Sequence, residues 1–227
     1  MNIIVTAGGT TEKIDAIRAI TNSSTGRLGA AIAERFAESP EVGRVFYLHG
    51  AKAVKPASEK ALRVPAHDTA SLEAELRRLA GECEIDAVIH AMAVSDYRVS
   101  KVTDGEFNEL DRTKKISSEE ESLVVFMEKT PKIISFLRGL FPKACIVGFK
   151  LLDGVSEAEL LTAARGVLTK NDCDFALAND AQRITLEAHP AQLLDRSREV
   201  IASFNSKTEI AAGIFSAVTQ NIEERRK

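Results

Sequence analysis

Two turns rich in glycine and small hydroxyl residues carry the clearest chemical signal in this chain. TAGGTTEKID, residues 6–15, follows a short apolar strand, and TNSSTGRLG, residues 21–29, runs into a helix. Gly8 and Gly9 admit dihedrals closed to other residues and let a ligand approach the main chain, while Thr6, Thr10 and Thr11 supply hydroxyls. Asn22, Ser23, Ser24 and Thr25 crowd a helix start whose unpaired amides and dipole favour an anion, and Gly26 and Gly29 keep that first turn open. The chemistry these turns suit is phosphate binding. Each has a plainer reading beside it, a tight structural turn for the first and ordinary capping for the second. Neither is a dinucleotide fingerprint, which needs glycine-x-glycine-x-x-glycine, nor a Walker A loop, which ends in glycine-lysine-serine or threonine.

Further residues gain meaning from position. In HAMAVSDY, Ala91 and Ala93 leave room for a flat group against the backbone, and Asp96 can accept hydrogen bonds from a base or sugar; the same residues also make an ordinary turn. His90 reads as a packed or surface histidine, and no cysteine, histidine and carboxylate cluster nearby supports a metal held by protein side chains. Lys114, Lys115, Lys129 and Lys170, taken singly, are solvated surface charges. Asn179 and Asp180 close FALAND, where a ligand meets the carboxyl end of a parallel strand.

The elements that must position these residues are legible as alternation. Ile3–Val5, Val45–Leu48, Ala87–Ile89, Ile146–Phe149 and Phe175–Ala178 are short apolar strands with helical periodicity between them. The spacing predicts a first helix from Ser24 or Thr25 that buries Leu28, Ile32 and Phe36, and a second from Ser71 through Leu79. Thr130 and Pro131 have N-cap and first-turn character, and Ser156 with Glu159 and Ser206 with Glu209 form capping boxes. The expected fold is α/β, a three-layer Rossmann-like sandwich with a mostly parallel central sheet. With 227 residues and 44% apolar content, a single domain spanning 1–227 is expected. Residues 95–122 are polar and long for a connection, which marks a flap, a dimerisation insertion or a disordered excursion. Residues 182–195 contain ITLEA and QLLD, which could pair as a hairpin.

Composition narrows the function classes. A formal net charge of -3 gives no surface for nucleic acid. The three widely spaced cysteines make neither a zinc pattern nor a disulfide framework, and no stretch is apolar and long enough for a membrane span. A soluble, cytoplasmic protein is expected.

Taken in order, TAGGTTEKIDAIRAITNSSTGRLG, AMAVSDY, the KKISS segment, KTPKII, IVGFKLL and LTKNDCDFALAND resemble the phosphopantothenate–cysteine ligase family, in particular its free-standing bacterial form. The resemblance implies a Rossmann-like homodimer of coenzyme A biosynthesis. Its activity would be condensation of 4'-phosphopantothenate with L-cysteine, after a nucleotide has been attached to the carboxylate. CTP is the implied cosubstrate, with ATP as the alternative, magnesium as the accompanying ion, and CMP and pyrophosphate as products. Carried over residue by residue, Gly8, Gly9, Thr10, Ser24, Gly26, Gly29, Ala93, Asp96 and Phe149 would contact the nucleotide. Asn22 would act at the acyl-phosphate region, with Arg18 in the same anionic neighbourhood and Lys115 in a closing flap with Lys114. Lys170 would neutralise phosphate charge, and Asn179 would contact nucleotide or substrate. Thr130, which would be catalytic together with Asn22 and Lys170, stands where fused relatives carry asparagine, and Met92 stands where alanine is commonest. A separate flavin-dependent decarboxylase would act on the product. The rival readings are a non-catalytic nucleotide-binding regulatory domain and an NAD(P)-dependent oxidoreductase, the latter without its fingerprint or a tyrosine-x-x-x-lysine pair.

Overall fold

The computed structural model describes residues 1–227. Along the chain lie β1 (Asn2–Ala7), β2 (Thr11–Lys13), β3 (Ala19–Thr21), α1 (Arg27–Ala37), β4 (Arg44–His49), β5 (Ala61–Pro65), α2 (Thr69–Glu82) and β6 (Ala87–His90). There follow β7 (Tyr97–Thr103), β8 (Val124–Lys129), α3 (Ile133–Leu140), β9 (Cys145–Leu152), α4 (Glu157–Asn171), β10 (Phe175–Asp180), β11 (Ala191–Asp195), β12 (Val200–Phe204) and α5 (Lys207–Arg226).

The side-chain alternation of the strands divides the core. Ile3, Val5 and Ala7 of β1 pack with α1 and α5, whereas Ile4 faces the layer that contains α2, α3 and α4. Strands apolar on both faces belong in the interior of a sheet, and the eight-stranded order β12-β11-β10-β9-β6-β1-β4-β5 has β9 and β6 at its centre with β1 beside them. The strands from β10 to β5 are parallel, while β11 and β12 close one edge antiparallel. The expected three-layer α/β sandwich is the fold observed. No helix is long and apolar enough to cross a membrane.

Several expected boundaries move. α1 starts at Arg27 with Gly26 as its N-cap, so Ser24 and Thr25 precede the helix without capping it. Asp68 caps α2, and Ser71 is the third-residue member of its capping box. α3 begins at Ile133 after Lys132, because the Thr130 hydroxyl is taken by the Ser95 carbonyl at 2.6 Å. Ser156 and Glu159 form the full capping box, while at α5 the Glu209 carboxylate reaches back to Asn205 N–H instead of to Ser206. ITLEA is not a strand; QLLD lies in β11 and pairs with β12, residues VIASF.

Residues 95–122 are built around an antiparallel ribbon, since β7 pairs with β8 and the loop between them folds back. Val99, Val102 and Ile116 form a small core of their own against Ile14 and Leu110. Arg112 donates to the carbonyls of Lys13, Ile14 and Ser100, which fastens the loop to the β2–β3 hairpin. Asp15, buried beneath, accepts from the N–H groups of Ile17, Arg18 and Ile116 and from the Arg18 guanidinium. Burial pushes its pKa up, but those backbone bonds and the Arg18 charge outweigh it and hold the carboxyl down to about 2.

Candidate functional site

In a parallel sheet the carboxyl ends of the strands share one edge, and loops there can converge on a ligand. At that edge the turn after β1 is laced to the extension of β6. Ala93 N–H donates to the Gly8 carbonyl at 2.8 Å, Thr10 N–H donates to the Ala93 carbonyl at 3.2 Å, and Gly9 bridges Ala93 in parallel register. Asn22 sends its side-chain N–H to the same Ala93 carbonyl at 3.0 Å, which joins the second turn to the first.

Gly9 has no room for a side chain: a Cβ there would lie 2.4 Å from the Asn22 carbonyl oxygen. The glycine is required by the approach of chain to chain, a role separate from admitting a ligand. Gly26 does favour a ligand. It sits at φ +69° and caps α1 without a side chain of its own, so that beside the β1 turn Arg27 N–H reaches the Thr25 hydroxyl at 3.5 Å while the Leu28 and Gly29 amides have no side-chain partner. With no acidic residue in that first turn, the helix end suits a phosphate. Gly8 lies close against Ala53 and Gly29 against Ala7, so the β1 turn and α1 approach their neighbours more closely than a side chain would allow.

Thr10 is fully buried, and its hydroxyl accepts from Ser95 N–H at 2.8 Å, so its side chain supports the β6 extension instead of facing a ligand. Thr130 grips the same extension from the other side through the Ser95 carbonyl and, by its N–H, the Asp96 carbonyl. Asp96 is exposed and pairs with Lys132 at 2.5 Å. Asp96, Lys132, Phe149, His90 and Met92 line a cavity of about 160 Å3 between β6, β9 and the start of α3.

Asn179 lies at the same edge at the end of β10, buried, with its amide 2.9 Å from His189 Nε2. Burial pushes the His189 pKa down to about 4, and Lys207 adds to the shift. The Asn179 Oδ1 and His189 Nδ1 atoms are buried without protein partners. Ser24 follows Asn22 in the second turn and is half-buried.

Lys170 lies elsewhere. It occupies the last turn of α4, which runs back from the carboxyl end of β9 to the amino end of β10, so it sits at the opposite edge of the sheet. Arg18 is engaged by Asp15 and the Ile116 carbonyl, where it fastens the loop that carries exposed Lys115. Lys132 and His90 were not among the residues expected to line this edge.

The DNA/pantothenate metabolism flavoprotein C-terminal domain model matches residues 1–222. The chain belongs to that family. A coenzyme A biosynthesis bifunctional protein CoaBC from Thermococcus kodakarensis is 35% identical over 217 residues, which cover 95% of this chain and 50% of the relative. A relative of the same name from Methanocaldococcus jannaschii is 29% identical over 80% of this chain. The chain spans about half the length of the curated relatives it matches. The crystal structure of the DNA/pantothenate metabolism flavoprotein from Streptococcus pneumoniae superposes with a TM-score of 0.86 at 33% identity, covering 97% of this chain and 99% of that one. A Cab2 H337A mutant, solved as a complex with phosphopantothenate-cysteine, shares the fold at a TM-score of 0.75 and 18% identity, covering all of this chain and 89% of that one. The family match takes in both glycine turns, the β6 extension and the β7–β8 ribbon, so the whole laced edge belongs to the family domain.

Proposed function

We propose that the chain condenses 4'-phosphopantothenate with L-cysteine to form 4'-phosphopantothenoyl-L-cysteine, with CTP as the activating nucleotide. The observation that carries the reading is the family match over residues 1–222. It is supported by relatives named for coenzyme A biosynthesis and by a fold neighbour solved with phosphopantothenate-cysteine.

A carboxylate is a poor acceptor for an amine. In the proposed reaction the carboxylate oxygen attacks the nucleotide α-phosphorus and pyrophosphate leaves; cysteine's amine then attacks the acyl carbon, loses a proton, and CMP leaves with the bonding pair. The open amino terminus of α1 receives phosphate oxygens, and Asn22 holds the two turns in register so that the reacting groups align. Lys115, on the loop between β7 and β8, brings positive charge when that loop closes and excludes water from the mixed anhydride. No group of three histidine, cysteine or carboxylate side chains is placed to hold a metal ion, and Asp96 is paired with Lys132. Magnesium is proposed to enter with the nucleotide as the counter-ion of its phosphates.

The chain is proposed to act as a homodimer, supported by exposed Ile17 and Ile20 on the β2–β3 hairpin and Tyr97 and Met127 on the ribbon. A decarboxylase is proposed to consume the product. The test is to incubate the chain with 4'-phosphopantothenate, cysteine and magnesium, and to compare CTP with ATP by pyrophosphate and product formation. CTP-driven formation of both is the expected result. ATP-only turnover would overturn the nucleotide choice, and nucleotide binding without any product would replace the ligase by a regulatory domain.

A further inference from the structure

His90 ends β6 at the centre of the sheet, almost fully buried, and is not among the residues the family resemblance assigns. Its Nδ1 lies 2.9 Å from the Thr6 hydroxyl oxygen, which also accepts from Met92 N–H at 3.2 Å. Thr6 is sealed from solvent, and its one hydroxyl proton has no other acceptor in reach. Thr6 therefore donates to Nδ1, and the imidazole proton is fixed on Nε2. Nε2 has no protein partner, yet it is not closed off, because His90 lines the cavity between β6, β9 and α3. Burial pushes the imidazole pKa down to about 4, so the ring stays neutral near pH 7.

The cavity is small, about 160 Å3, with Met92, Val94, Ile134 and Phe149 as apolar walls, the neutral His90 donor among them, and the Asp96–Lys132 pair and the start of α3 completing its lining. A flat heterocycle with a carbonyl oxygen or ring nitrogen matches the apolar walls and the donor together. We infer that His90 is a specificity-determining residue whose Nε2–H donates to an acceptor atom on the base of the bound nucleotide. This rests on the proposed nucleotide-dependent reaction and adds the group that reads the base. Thr6 is the positioning residue, since it sets the tautomer.

Titration calorimetry of the full chain with CTP, ATP and inorganic triphosphate tests the assignment in wild type, His90→Leu and His90→Gln. A lost neutral hydrogen bond is expected to weaken CTP binding about tenfold in His90→Leu. Inorganic triphosphate binding is expected to stay unchanged, and His90→Gln, whose side-chain amide places an N–H near the Nε2 position, is expected to recover most of the loss. Equal weakening of CTP and triphosphate, or no weakening of CTP, would overturn the role of His90 while leaving the nucleotide reading intact. A wild-type chain that binds neither nucleotide would overturn both. Nitrogen NMR of the wild-type imidazole provides a readout that does not depend on the leucine variant folding: the Nε2–H tautomer is expected, and an Nδ1–H tautomer would overturn the assignment.

Discussion

Asn22 and Lys170 separate a contact that organises the edge of the sheet from a charge that only looked well placed in sequence. The Asn22 amide bonds the Ala93 carbonyl and so ties both glycine turns to the β6 extension, whereas Lys170 ends α4 at the far edge. Asn22→Ala is expected to lower kcat/KM for the ligase reaction about 100-fold, on the scale of misaligned reacting groups. Lys170→Ala is expected to leave it unchanged, with both measured by pyrophosphate release. Thermal melts must accompany the assay, because loss of the Asn22 bond also costs about 1 kcal/mol of stability. The placement of Asn22, Asp96 and Asn179 at the carboxyl edge was legible because turn and strand-end positions can be counted along the chain. Lys170 was misplaced because the direction of its helix, not its neighbour Asn171, decides which end of the sheet it serves. His90 is packed, one of the two places the sequence allowed it, but its partner Thr6 lies 84 residues away and leaves no local signal.

The elements show the same division between local signals and distant partners. The Ser156 box is local and held, whereas Thr130 lost its capping role to the carbonyl of Ser95, which comes from the β6 extension. Gly29 lies within α1, where alanine would ordinarily gain about 1 kcal/mol of helix propensity. A Cβ there would stand 2.4 Å from the Ala7 Cβ, so the packing clash decides the sign, and Gly29→Ala is expected to destabilise by about 1–3 kcal/mol in urea denaturation. The loop between β7 and β8 depends on Asp15 in a pH-dependent way. The folded pKa of about 2 lies below the ordinary 3.8, so the stabilisation is complete above the ordinary value and is lost as pH falls from about 4 through 2. The protection of the Ile116 amide against hydrogen exchange, taken relative to the intrinsic rate at each pH, is expected to fall across that window, and Asp15→Asn is expected to show the lower protection already at pH 7. Exchange that stays unchanged in the variant would separate the loop from Asp15.

Across the whole molecule the two edges of the sheet do different work. The carboxyl edge holds the laced turns and the cavity, while the amino edge is fastened by Asp174, whose side chain is fully buried among Arg138, Arg196 and Arg225 and also accepts from Ile146 N–H. Removing it would break ion pairs to three arginines at once and leave the buried Ile146 N–H without its acceptor, so Asp174→Ala is expected to cost about 3–5 kcal/mol by urea denaturation. Activity per folded molecule is expected to be unchanged. The parallel core was legible because its strands are apolar on both faces. β5 and β12 were not, since their partly exposed residues carry no comparable apolar run. The central claim is that a nucleotide activates the carboxylate at the laced edge, and carboxylate-18O-labelled 4'-phosphopantothenate tests it directly. Turnover with CTP and cysteine is predicted to deliver one labelled oxygen into CMP. Product formed while the label appears in inorganic phosphate or pyrophosphate, and none in CMP, would contradict it.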